Sequence, residues 1–267
     1  MMLEIHDEPG TPGSGTPASG ASASDTPASG APGPGAPRTG RLDRLRLHHA
    51  AYPVTSAAAL FAVLAAVRVA GAFTFVVMVL SVALSAAVLL VLPRADWAAA
   101  GVRRFPLLPA VLGTALVAVV YGQTFLATRD AFGDGDDNWT TWMPRLFEGM
   151  VPGAPWADVV AMVLALGVLV PLVEEVCYRG VLYRAVEVRW GGYAAVVTTA
   201  AGWAAVHVGD YGLNPFNLKV LCGLLPSVFL MGLALGVLRA VTGSALACAA
   251  AQGVCNLLLL GAAAAWL

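Results

Sequence analysis

Charge is what this chain has least of: charged residues make up 12% of its 267 positions, about half the share of a soluble globular domain. That scarcity excludes an ordinary water-soluble fold for most of the chain. The formal net charge is −1, so no basic field draws in nucleic acid, and none is expected as a partner. Cysteine is sparse. Cys177, Cys222, Cys248 and Cys255 all lie in apolar stretches, without a CxxC or the spacing of a secreted disulfide framework, and read as small buried hydrophobes. No apolar core follows Met1, so no cleaved secretory leader is expected. No HExxH is present, and no GxSxG falls within an apolar run. No cofactor and no resident metal are therefore expected. Ten-residue stretches of alternating polarity are missing too, which argues against a β-barrel.

What the chain has is hydrophobicity: 58% of its residues are apolar and its mean hydropathy is +0.76. Residues 1–45 are set apart as a Gly/Pro/Ala/Ser-rich tail, expected to be disordered because it cannot bury enough apolar surface to offset its ordering entropy. The tail runs into a basic juxtamembrane patch of Arg38, Arg41, Arg44 and Arg46. Apolar runs follow near 54–70, 73–92, 107–127, 157–178, 193–208, 219–239 and 245–265. A bilayer core needs about 20 apolar residues per helix, and an open sheet edge cannot survive in lipid. The expected fold is all-α: a polytopic membrane bundle of about seven transmembrane helices, within a range of about six to eight. Residues 50–150 hold the first helices and an acidic loop, and residues 155–265 hold the polar residues that carry chemistry.

Arginines set the expected orientation. The patch at 38–46, then Arg94, Arg103 and Arg104, then Arg184 and Arg189, then Arg239 all fall on one side of a seven-span chain. The loop 128–156, with Asp130, Asp134, Asp136 and Asp137, falls on the other. This places the N-terminus in the cytoplasm and the C-terminus outside. The richness in Ala and Gly suggests a high-GC bacterial source, hence a bacterial inner membrane.

An ionisable residue inside a span is costly and marks a functional hypothesis. Three such places are Glu174-Glu175-x-x-x-Arg179, Trp203-x-x-x-His207, and Gln252 with Asn256. A fourth is Arg68, for which simple snorkelling to the interface is the alternative. Glu175 and Arg179 are four apart with the carboxylate first, the favourable order for an ion pair on one helix face. Glu174 lies about 100° around the helix from Glu175, so it is left free to face a cavity. Depth adds to this. If the chain turns at Trp190-Gly191-Gly192, Glu174 lies 17 residues before Gly191 and His207 lies 16 after it. In an antiparallel hairpin the two are level, roughly 24 Å from the turn. That needs the helix to continue past Arg179, with a possible break near Pro171. Gln252 and Asn256, four apart, share a face of the last helix.

With these residues the chain resembles the CPBP intramembrane proteases, the Abi or CAAX-protease-like family. The family's EExxxR motif stands as Glu174-Glu175-x-x-x-Arg179, followed by Gly180, and its aromatic-x-x-x-His motif as Trp203-x-x-x-His207. Its HxxxN motif reads Gln252-x-x-x-Asn256, with glutamine in place of the second histidine. Phe229-x-x-Gly232-x-x-x-Gly236 and Thr242-Gly243-Ser244 resemble the family's approach to that motif. The resemblance spans about residues 155–262 and implies a glutamate-type peptidase. It makes Glu174 the general base, His207 its partner, and Gln252 and Asn256 the oxyanion donors. Glu175, Arg179 and Trp203 would support them. The implied partner is a membrane-anchored protein substrate, such as one with a C-terminal membrane tail, as for the sorting-signal peptidases of that family.

Blander readings stand beside this one. The charged turn can be a structural ion network, His207 a satisfied core histidine, and Gln252 and Asn256 interhelical glue. The missing histidine favours a non-catalytic immunity, scaffold or assembly factor on the same fold. A transporter ranks below these, because no inverted repeat is visible. A metal-dependent variant using Glu174, Glu175 and His207 is also conceivable. Gly133-Asp134-Gly135-Asp136 matches GxGD, but it lies in a polar loop rather than in a span.

Overall fold

The computed structural model describes residues 51–266, except 146, 150 and 151. The expected tail at 1–45, its arginine patch, and His6, His48 and His49 lie outside the described residues. The described chain is mostly helical, with no strand among the described residues. Helix α1 runs Pro53–Ala70, α2 Phe75–Ser85, α3 Val88–Val91, α4 Leu107–Phe132 and α5 Trp142–Arg145. Helices α6 (Pro155–Leu164), α7 (Val170–Glu175) and α8 (Tyr183–Asp210) follow, then α9 (Leu218–Thr242) and α10 (Ala245–Trp266).

Among the described residues, five helical stretches are long and apolar enough to cross a bilayer: Pro53–Phe73, Leu107–Phe132, Pro155–Asp210, Leu218–Thr242 and Ala245–Ala265. The third is 56 residues long, which straight would reach about 84 Å. It does not stay straight. Gly191, at φ 84° and ψ 169°, interrupts it, in a region of backbone space that residues with a Cβ rarely enter. Trp203 on the far side hydrogen-bonds Glu174 on the near side, 29 positions earlier. The chain therefore reverses near Gly191 and forms the antiparallel hairpin expected from the Trp190-Gly191-Gly192 sequence.

Two expectations change. The single span at 73–92 is two short helices, α2 and α3, separated at Ala86-Ala87. The run is apolar enough, but apolarity alone does not keep a helix unbroken. The expected break near Pro171 is a widening instead. Residues Ala165–Leu169 form a π-helical turn just before it; proline donates no hydrogen bond and its ring crowds the carbonyl four residues back, and a wider turn there relieves that crowding. A second π-helical stretch, Val176–Leu182, follows the paired glutamates.

Helices α8, α9 and α4 make the most extensive packing in the bundle. Small residues allow it: a Cβ built on Gly232 would lie 3.0 Å from the Ala200 Cα of α8, so the Gly232-x-x-x-Gly236 stripe brings two backbones together.

Candidate active site

Adjacent residues at the end of α7 point to different neighbours. Glu175 and Arg179 are both fully buried, and Arg179 Nη1 donates to Glu175 Oε1 at 2.6 Å. Arg179 Nη2 also donates to the Gly232 carbonyl at 3.1 Å, and its guanidinium lies 4.8 Å from the Trp203 ring centre. This pair joins α7 to α9 and underlies the site as a structural floor.

Glu174 faces the other way, into a cavity of about 520 Å³. It is not the unpartnered carboxylate that the helical wheel suggested. Three donors from three helices converge on it: Arg68 Nη1 of α1 at 2.7 Å, Trp203 Nε1 of α8 at 3.0 Å and Gln252 Nε2 of α10 at 2.8 Å. An ionised carboxylate offers about four acceptor positions, so roughly one remains for another donor.

His207 lines the same cavity. Its Nδ1 lies 2.7 Å from the Trp203 carbonyl oxygen. A carbonyl only accepts, so Nδ1 carries the hydrogen and a neutral ring presents Nε2 as an acceptor. Trp203 thus holds both groups, Glu174 through its indole N–H and His207 through its backbone. Gln252 and Asn256 also line the cavity. Each amide already spends one hydrogen, Gln252 on Glu174 and Asn256 on the Leu166 carbonyl at 3.0 Å. One N–H remains on each.

Sequence reading left Arg68 open and missed Asp210. Arg68 does not snorkel: it binds Glu174 on one side and Asp210 on the other, Nε to Oδ1 at 3.1 Å. Burial explains this, since a guanidinium held inside the bundle is stable only when its charge is met. A signal for Asp210 was available, because it stands three residues after His207 and shares its helix face. Among the described residues no group of three or more His, Cys, Asp or Glu is placed to hold a metal ion. The metal variant therefore lacks its ligand set: Glu175 turns to Arg179, away from Glu174.

Residues 156–258 match the family model described as "Type II CAAX prenyl endopeptidase Rce1-like". This part of the chain is similar to the type II CAAX prenyl endopeptidase family. The matched segment carries Glu174, Glu175, Arg179, Trp203, His207, Gln252 and Asn256. Arg68, Tyr121 and Trp139, which also line the cavity, come from before it. Searches of the curated proteins and of the solved structures gave no match. The apolar helices and the likeness to a membrane peptide-hydrolase family together point to a multi-pass membrane protein.

Proposed function

We propose that this chain is an intramembrane endopeptidase that hydrolyses a peptide bond of a membrane-anchored protein, with Glu174 as the general base. One observation carries the reading: Glu174 and His207 share a single cavity inside an apolar bundle, both tied to Trp203. A water held between Glu174 and the Nε2 of His207 attacks the substrate carbonyl. Glu174 takes its proton, the C–O bond forms, and the oxyanion is met by the remaining N–H groups of Gln252 and Asn256. The C–N bond then breaks and the proton passes to the leaving amine. Arg68 fixes the carboxylate, while Glu175 and Arg179 fix the helix that presents it.

The substrate we favour is an exported protein with a C-terminal membrane tail, processed in a bacterial inner membrane by a chain whose N-terminus is cytoplasmic. The test is processing of such a protein by the purified full chain in bilayers. Removing a general base costs about 10²–10⁴ in rate, so Glu174→Ala and His207→Ala should each lose at least that lower factor. Unchanged processing rejects the reading.

A second reading, a non-catalytic immunity, scaffold or assembly factor, is favoured by one specific feature. Gln252 occupies the position of the family's second histidine, and its amide is bonded to Glu174. An inactive parent that gains activity as Gln252→His supports this second reading.

A further inference from the structure

Two buried polar groups in the cavity have no use in the mechanism above. The hydroxyl of Tyr121, on α4, and the indole N–H of Trp139, in the short turn after α4, are buried without a hydrogen-bond partner among the described residues. Tyr121 is 3% exposed and Trp139 4%, and both residues line the cavity that holds Glu174. A buried donor left unmet is costly, so two in one cavity point to a ligand that meets them.

They reach the cavity from different elements. Trp139 packs against Tyr211, ring centres 6.1 Å apart, beside Asp210. The charged lining residues are already matched, since Arg68 binds both Glu174 and Asp210. No cation in the lining of the described cavity is therefore left to hold a substrate carboxylate. The remaining walls are largely aliphatic, as at Val170, Val173, Met231 and Leu259.

We infer that Tyr121 and Trp139 are substrate-binding residues: they donate to carbonyl oxygens of an unwound, apolar peptide segment drawn past Glu174. An extended peptide presents uncharged carbonyls along its length and carries side chains suited to aliphatic walls. A hydrocarbon chain fits the walls but meets neither donor. The inference rests on the peptidase reading and adds how the substrate backbone is recognised.

The experiment uses the full-length chain in lipid nanodiscs and two photoreactive probes. One is an Ala/Leu decapeptide with a central diazirine leucine; the other is a diazirine fatty alcohol. Tyr121→Phe keeps the ring and removes only the hydroxyl, while Trp139→Phe removes the indole N–H together with the five-membered part of the ring, so the second probe serves as its control for the cavity. Each should raise the half-saturating peptide concentration about five- to thirty-fold, the effect of one buried hydrogen bond of about 1–2 kcal/mol. Labelling by the fatty alcohol should stay the same, which shows the cavity to be intact. Equal labelling of parent and both variants by the peptide overturns the inference, as does no saturable labelling of the parent, or an equal loss with both probes. Labelling is read without turnover. Donor-dependent labelling without cleavage overturns only the peptidase reading, and cleavage with donor-independent labelling overturns only this inference.

Discussion

At the scale of single residues, helix periodicity reaches only as far as one helix. The Glu175–Arg179 pair is legible from its spacing, because both side chains leave the same face of one turn. The partners of Glu174 are not, because Arg68 and Gln252 lie 106 and 78 positions away and reach it only once three helices are packed. Arg68 was left open for the same reason: a sequence shows that an arginine is inside a span, not which carboxylate awaits it. The buried pair gives a prediction at this scale. Arg179→Met leaves Glu175 fully buried without its cation and should lower unfolding stability by about 3–5 kcal/mol. The double variant with Glu175→Gln should recover part of that loss, read by thermal or denaturant unfolding in detergent.

Among elements, long apolar runs were the readable feature, and the hairpin turn was marked by its glycines. The break within 73–92 carried no such marker, since Ala86 and Ala87 are ordinary helix formers. The π-helical turns on either side of the paired glutamates are equally silent in the sequence. Close approach between α10 and the turn Ala165–Leu169 supplies a test. A Cβ on Gly253 would come 2.1 Å from the Gly167 carbonyl oxygen, so Gly253→Ala must push α10 away and carry Gln252 with it. Stability should fall by at least about 1–3 kcal/mol, and any activity should fall with it. Gly122, in α4, has nothing within 4 Å of such a Cβ. Gly122→Ala should therefore be neutral or stabilising by up to about 1 kcal/mol, and the two melting temperatures give the comparison.

For the whole molecule, composition was enough to place the chain in lipid, while its cavity emerges only when the matched segment assembles with the helices that precede it. The acidic loop between α4 and α6 is tied to the bundle by ion pairs outside the apolar core. Arg129 holds the Asp134 carboxyl below its usual range, and Lys219 with Asn217 does the same for Asp137. A depressed folded-state value means these contacts are in force above the ordinary carboxylate range near about pH 4 and are lost as pH falls through the lowered values. Acidification through that window should speed limited proteolysis of the loop, and Asp137→Asn should flatten the response.

The central claim, that Glu174 and His207 together hydrolyse a peptide bond within the membrane, is tested most directly in cells that make the parent chain, Glu174→Gln or His207→Ala at equal levels. Mass spectrometry of their membranes should find at least one membrane-anchored protein cut with the parent and intact with both variants. The same cleaved and uncleaved species across all three would contradict it.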